Sequence, residues 1–263
     1  MNLVNQKKLL VMAIYAGEIM LKNGAETYRV EDTIIRLCKS RNYPYVEAYV
    51  TPTGIFVSVD TKGQEQKDML SSVKRIKSRN INLNKIAEVN DFSRKFVEGD
   101  MSVEKAMQQL KKIDELPSYP LYFQAFMGGI ASAFVALLFG ANILEFISAL
   151  ATSVIVTFTT KKLSESGFAS FLNNIVGGSF AAFFAIIFSY LHPNIHVDKV
   201  IIGAIMVMVP GVAMTNAVRD TIMGDLVSGL ARGTEALLIA ISIAFGVGFV
   251  LRAWIFFNGG GIL

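Results

Sequence analysis

The feature that most constrains this chain is a series of long apolar stretches that begins after Pro120. A helix that crosses a bilayer needs about 20 mostly apolar residues, because the hydrocarbon core of a membrane is about 30 Å thick. Five stretches come close to this length: 121–140, 143–160, 171–191, 200–218 and 235–256. The sequence therefore predicts an α-helical integral membrane protein, with a transmembrane domain of about five helices in residues 117–263.

Charged residues divide the chain at the same place. All but six of the 25 lysines and arginines, and all but six of the 21 acidic residues, precede Pro120. Basic and acidic residues alternate there, so the sequence shows no cationic patch of the kind that binds nucleic acid. The positive-inside rule predicts that the basic first part lies in the cytoplasm and that the protein is a multi-pass protein of a cell membrane.

Residues 1–116 are predicted to form an N-terminal soluble α+β domain. Two runs rich in β-forming residues, 46–50 and 55–59, flank Pro52 and Gly54, and this pattern predicts a β-hairpin. Apolar residues at helical spacing predict one helix that stops at Asn23-Gly24 and three others, over residues 25–40, 83–98 and 102–116. A further strand is suggested at residues 72–76.

The fourth apolar stretch contains Pro210 and Gly211 at its midpoint. Proline removes one backbone donor and frees a carbonyl group one turn earlier. Within a bilayer such groups are tolerated only inside the protein or beside a water-filled cavity. Because broken helices mark the binding sites of many transporters, this break indicates a functional position.

A dense polar cluster follows the break. It offers a hydroxyl, an amide, a guanidinium and two carboxylates: Thr215, Asn216, Arg219, Asp220 and Asp225. An arginine can bind a carboxylate and an aspartate can bind an ammonium group, so the cluster is predicted to bind a small polar solute. The alternative is that these charged residues only end a span at the cytoplasmic surface.

Other polar residues of the membrane part have simpler interpretations. Glu145 and Glu235 are candidates for proton coupling, with solvation at a helix end as the alternative. His192 and His196 share a loop with Pro193, which favours a solvated loop over a metal site. A single cysteine, Cys38, cannot form a disulfide framework. We expect neither a metal nor a cofactor.

The stretch from Gly24 to Asp32 is rich in acidic residues around Arg29. No nucleophile and base accompany it, so a solvated helix face or a subunit contact is the favoured interpretation. The chain also lacks the Gly-x4-Gly-Lys-Ser/Thr loop that binds phosphates, which argues against ATP-driven transport by this chain alone.

Two separated motifs resemble those of the threonine/serine exporter family. One covers residues 16–33, and the other covers residues 210–220 together with Gly224-Asp225 and Ser228-Gly229; the turn at 51–54 fits the same pattern. The resemblance extends over nearly the whole chain. It implies a secondary exporter that is driven by the proton motive force, and not an enzyme.

The resemblance also implies a subunit rather than a complete transporter. Single-chain members of the family carry a second membrane half, whereas this chain resembles the larger, N-terminal-type subunit of the split form. That form needs a smaller membrane-protein partner, and homo-oligomers are compatible with it. The implied solutes are threonine- and serine-type amino acids, or succinate-like dicarboxylates, with which some split-form relatives are associated.

Two other functions are compatible with the residues. The chain could be a membrane-anchored hydrolase with its site in residues 1–116. It could instead be a regulatory or receptor subunit that gates a partner membrane protein. Activity of the isolated N-terminal part, or solute movement without a partner, would distinguish these alternatives from a transporter subunit.

Overall fold

The computed structural model describes residues 3–41, 43, 45–60 and 69–258. The described part is predominantly helical and contains a three-stranded antiparallel sheet. It consists of two compact units. The first comprises Met1–Ser118 with Val212–Thr234, and the second comprises Tyr119–Gly211 with Glu235–Leu263. Val212–Thr234 belongs to the first unit, although in sequence it follows the predicted boundary at residue 116.

Four helices build most of the first unit: α1 Leu3–Lys22, α2 Thr27–Lys39, α3 Leu83–Glu98 and α4 Val103–Asp114. They confirm the helices predicted from apolar spacing. The apolar sides of all four are buried in one core, which contains Leu9, Ile34, Phe92 and Leu110. Such burial stabilises the unit because apolar surface is removed from water.

The sheet of the first unit contains β1 Tyr45–Thr51, β2 Gly54–Asp60 and β3 Met69–Arg75, in that order. The pairing of Thr51 with Gly54 closes the predicted hairpin around Pro52 and Thr53. Alternate residues of β1 are buried, as expected for a strand with one face on a core. The suggested third strand is confirmed, and it starts three positions before residue 72.

Two helices follow Pro210: α9 Gly211–Ile222 and α10 Leu226–Phe257. Gly224 joins them with a φ of 94°, a conformation that glycine adopts without strain. A β-carbon on Gly229 would clash with the side chain of Thr221, so the two helices approach closely at this glycine. The predicted span 235–256 lies within α10, which begins nine residues earlier, because hydropathy locates the apolar part of a helix and not its first turn.

The second unit contains α5 Leu121–Leu138, α6 Ile143–Glu165, α7 Ser170–Leu191, α8 Val197–Ile205 and a 3-10 helix, Met206–Met208. Among the described residues, α5, α6, α7 and α10 are long and apolar enough to cross a membrane. The pair formed by α8, with its 3-10 helix, and α9 is bent at the break that contains Pro210, and it adds a fifth crossing if it counts as one span.

Candidate functional site

The turn between α1 and α2 meets the segment between α9 and α10 inside the first unit. Gly24 forms this turn with a φ of 97°. Its carbonyl oxygen accepts a hydrogen bond from the side-chain amide of Asn216 at 2.9 Å. The carbonyl oxygen of Ala25 accepts one from Nη2 of Arg232 at 2.7 Å. Side chains of α9 and α10 therefore satisfy two backbone acceptors that the turn leaves without partners in its own helices.

Asp220 lies at the centre of this contact and its side chain is fully buried. Its Oδ1 accepts the backbone N–H of Thr27 at 3.3 Å, and its Oδ2 lies 3.1 Å from Nε of Arg232. Thr27 also donates its hydroxyl hydrogen to Oδ2 of Asp225 at 3.1 Å. Because Thr27 is the first residue of α2, both carboxylates lie at the positive end of a helix dipole.

A second ionic group lies beside the first. The carboxylate of Glu26 forms ion pairs with Arg219 and with Arg29, the latter at 3.2 Å. Burial by itself would raise the pKa of Glu26, but hydrogen bonds from its own backbone and from the two arginines hold that pKa below its ordinary value. Glu26 is therefore ionised at neutral pH. The side chain of Arg219 is 54% exposed, so one side of this guanidinium faces outward.

Four of the five residues predicted to bind a solute come together in this cluster: Asn216, Arg219, Asp220 and Asp225. Thr215 lies on the exposed side of α9, where its hydroxyl donates to the carbonyl of Val212 at 3.2 Å. Pro210 and Gly211 lie at the break immediately before the first turn of α9. Their role in binding a solute stays a prediction.

Three further residues of the cluster were not predicted to take part in it: Glu26, Thr27 and Arg232. The interpretation of Gly24–Asp32 as a solvated face is wrong for Glu26 and Thr27, because both side chains are buried. The available signal for Glu26 and Thr27 was their position in one of the two motifs that carry the family resemblance. The sequence does not show that the two motifs are in contact, because it contains no distances between residues that are far apart in the chain.

Glu145 belongs to a polar group in the second unit. It forms a capping box with Asn142 at the start of α6, and its side chain is fully buried. Its Oε1 accepts the backbone N–H of His196 at 2.9 Å and lies 2.6 Å from Nδ1 of the same residue. Lys199 lies 3.7 Å from its Oε2. These contacts connect two loops, and the proposed proton-coupling role of Glu145 stays a prediction.

Glu235 is half-buried on α10, and its proposed proton-coupling role also stays a prediction. The two histidines of the chain, His192 and His196, both belong to the second unit. Cys38 is fully buried, and burial raises the pKa of its thiol to about 12. A reactive thiolate at this position is therefore excluded at neutral pH.

The fold and the cluster together define a class of protein. Apolar helices of membrane-spanning length, one of them broken, adjoin in sequence a cluster of buried ion pairs with a half-exposed arginine. Polar groups beside a broken membrane helix are the arrangement that secondary transporters use to bind small solutes. The chain is thus a helical membrane protein of the transporter class.

Comparison with known proteins identifies the family. Residues 11–254 match the model of the ThrE family, described as "Putative threonine/serine exporter". Because this match covers most of the chain, the protein belongs to that family. Members of this family are membrane exporters and not enzymes, so the hydrolase alternative is not retained.

Curated relatives resemble the chain at low identity but over most of its length. It is 22% identical to the "Probable threonine/serine exporter" of Mycobacterium tuberculosis over 95% of this chain and 47% of the relative. It is 26% identical to the "Threonine/serine exporter" of Corynebacterium glutamicum over 90% of this chain and 49% of the relative. The chain thus spans about half the length of these two exporters.

A third relative has nearly the same length as this chain. The "Probable succinate transporter subunit YjjP" of Escherichia coli is 22% identical over 97% of this chain and 98% of the relative. No solved structure matches the chain significantly. The comparisons therefore establish a transporter family, and its members are named after different solutes.

Proposed function

We propose that this chain is one subunit of a secondary exporter in the bacterial cell membrane, driven by the proton motive force. Its solutes would be small polar metabolites, either amino acids of the threonine/serine type or dicarboxylates of the succinate type. The observation that carries this proposal is the cluster around Asp220, where the two family motifs meet and Arg219 remains half-exposed.

A partner subunit is supported by the lengths of the relatives. The chain aligns with about half of two proteins named as exporters, and with nearly all of a protein named as a transporter subunit. We propose that a smaller membrane protein supplies the remaining transmembrane part. Homo-oligomers of this chain are compatible with such an assembly.

The proposed orientation follows from charge. The N-terminal α+β domain, with most of the lysines and arginines, would lie in the cytoplasm, and the pair of α8 and α9 would count as a fifth, broken span. The loop that contains His192 and His196 would then lie outside. In this topology the cluster around Asp220 is on the cytoplasmic side, where an exporter must bind its solute.

Arg219 is the proposed contact for a carboxylate of the solute. Its guanidinium already forms an ion pair with Glu26, which Arg29 also neutralises. A solute carboxylate could replace Glu26 at Arg219 while Arg29 keeps Glu26 paired, so no carboxylate is left without a cation. Exchange of one carboxylate for another would give Arg219 two states, as a transport cycle requires.

The experiment is an efflux assay in cells that express the full chain with and without a small membrane-protein partner. Cells are loaded with threonine, serine or succinate, and the wild type is compared with Arg219→Ala and Arg219→Lys. Arg94→Ala is the matched control, since Arg94 forms an exposed ion pair with Asp91 on α3. We expect at least a tenfold loss of efflux for Arg219→Ala and wild-type efflux for Arg94→Ala.

Two results would count against the proposal. Wild-type efflux by Arg219→Ala, in membranes that contain normal amounts of the variant, would remove Arg219 from the solute path. Efflux that is absent for every solute, with and without a partner, would favour a regulatory or receptor subunit. Efflux that persists without the proton motive force would contradict only the proposed driving force.

A further inference from the structure

Glu31 is a carboxylate of the same cluster that the ion pairs described above do not include. It lies on α2 four residues after Thr27, so both side chains are on the same face of the helix. Its Oε1 accepts the backbone N–H of Val50 in β1 at 2.7 Å. The carbonyl of Val50 in turn accepts the hydroxyl of Ser228 in α10 at 3.4 Å. Glu31 therefore binds the strand residue that also contacts α10.

The charges near Glu31 are predominantly negative. Asp220 of α9, Asp225 of the following turn and Glu47 of β1 all disfavour its ionised form. The neighbouring cations already have partners, because Arg232 lies against Asp220, and Arg219 and Arg29 lie against Glu26. Among the described residues, an ionised Glu31 would thus add a negative charge beside other carboxylates, while these three arginines already bind acids.

Cations of the described elements around α2 form ion pairs with other acids. In α1, Lys22 forms an ion pair with Glu18 at 2.7 Å, and Glu18 also binds Lys74 of β3. On α3, Arg94 pairs with Asp91 at 3.0 Å. Within α2 itself, Arg36 pairs with Asp32 at 3.2 Å. The negative environment of Glu31 is therefore not offset by these neighbouring helices.

We infer that Glu31 is the proton-binding residue of the cluster and that it exchanges its proton with water during the transport cycle, an inference that rests on the proposed export function. When the carboxyl O–H bond breaks, the proton passes to a water molecule and the electron pair stays on the carboxylate. No other reactant is needed. Glu31 is only partly buried, so water has access for this exchange.

The electrostatics of the residue support this role. Burial, together with Asp225, Asp220 and Glu47, raises the pKa of Glu31 to about 7, although the hydrogen bond from Val50 acts in the opposite direction. A carboxyl with a pKa near 7 changes charge within the pH range that a cell maintains on the two sides of its membrane. Its negative charge would appear beside Asp220 and Asp225, at the centre of the contact between the two motifs.

The direct test is an infrared titration of the purified full chain in detergent between pH 5 and pH 9. A protonated carboxyl has a C=O stretching band that disappears on ionisation. We expect the wild type to lose one such band with a midpoint near pH 7, and Glu31→Gln to lack it. Glu88→Gln is the matched control, because Glu88 is an exposed glutamate on α3, and it should retain the band. A band that persists in Glu31→Gln would overturn the inference.

If Glu31→Gln does not fold, the inference is tested with Glu31→Asp instead. Its shorter side chain should lose the hydrogen bond with Val50 and shift the midpoint by at least half a pH unit. An unchanged midpoint would assign the band to another residue and overturn the inference.

An efflux assay separates this inference from the proposed function. We expect wild-type efflux to change severalfold between pH 6 and pH 8, and efflux by Glu31→Gln to be nearly independent of pH. If Glu31→Gln keeps the wild-type pH dependence, the inference is wrong while export stands. If the infrared band belongs to Glu31 but the assembly exports none of the solutes, the proton site stands and the export function is wrong.

Discussion

Asp220 accepts the backbone N–H of Thr27, although 193 positions separate the two residues in the chain. The bond joins the last turns of α9 to the first residue of α2, and it lies beside the buried contact between Asp220 and Arg232. A carboxylate at the amino end of a helix satisfies backbone donors that have no partner within that helix. Asp220 thus joins the segment that follows the broken span to the N-terminal part of the first unit.

Neutralising Asp220 should destabilise the first unit. Asp220→Asn leaves the buried guanidinium of Arg232 without its carboxylate, and loss of one partner of a buried pair costs about 3–5 kcal/mol. Thermal unfolding in detergent measures the effect. Asp91→Asn, which removes one partner of an exposed pair, should cost less than about 1 kcal/mol. Equal effects of the two substitutions would show that Asp220 is not a structural centre.

Gly229 should not tolerate a side chain. Gly229→Ala places a β-carbon against the side chain of Thr221 and the carbonyl oxygen of Ala217, which forces α10 away from α9. Such overpacking costs about 1–3 kcal/mol. Gly248→Ala is the control on the same helix, since no atom lies within 4 Å of a β-carbon there. We expect a lower melting temperature for Gly229→Ala alone, and its absence would contradict the close approach of the two helices.

Glu31 should make the stability of the protein depend on pH above the range in which an ordinary glutamate titrates. Its folded-state pKa is about 7, whereas an unfolded glutamate titrates near about 4.3. Below the lower value both states are protonated. As the pH rises between the two values the unfolded chain loses its proton first, so folding becomes less favourable, and above about 7 the loss is constant.

Comparison with Glu31→Gln isolates this contribution. The stability of the variant relative to the wild type should increase from about pH 4.3 to about pH 7, by at most about 4 kcal/mol at roughly 1.4 kcal/mol per pKa unit, and stay constant above it. Unfolding curves recorded at several pH values measure the difference. A difference that does not vary with pH would contradict the raised pKa.

Glu18 should have the opposite effect. Burial would raise the pKa of Glu18, but ion pairs with Lys22 and Lys74 outweigh it and hold the pKa below its ordinary value. Its stabilising contribution is therefore present above the unfolded pKa and is lost as the pH falls through the folded one. Glu18→Gln should lower stability near neutral pH and make it less sensitive to acid.

The control for Glu18 is Glu104→Gln. Glu104 pairs with Lys8 at 2.9 Å, but both side chains are more than half exposed. Solvent screens such a pair, so its removal should hardly change the unfolding curve at any pH. If both variants respond to acid in the same way, burial of the Glu18 ion pairs contributes little.

The local elements of the fold could be read from the sequence because each depends on neighbouring residues. Apolar spacing predicted α3 with the bounds that the structure gives, and α4 begins one residue after the predicted start at Ser102, whose hydroxyl accepts the N–H of Lys105. Pro210 ends one helix and precedes another because it lacks an N–H. The predicted span 235–256 covers only the later part of α10, since the first turns of this helix carry polar residues that a hydropathy criterion excludes.

Only some residues of the candidate site could be predicted from the sequence. Asn216, Arg219, Asp220 and Asp225 stood out because polar residues after a broken apolar stretch are unusual. Their partners Glu26 and Thr27 did not, because an acidic helix start looks the same whether it is solvated or buried. The distinction depends on whether another helix covers it, which no local pattern encodes.

The sequence by itself determined that the chain enters a membrane, where its helices and strands lie, and that its fourth apolar stretch is broken at Pro210. Hydropathy and backbone chemistry act over a few residues, so the pattern along the chain is sufficient for these properties. Only the tertiary structure decided that Asp220 lies against Thr27 and Arg232, and that Glu31 lies near Asp220, Asp225 and Glu47. Ion pairing and burial depend on distances between residues that are far apart in sequence, and folding alone sets those distances.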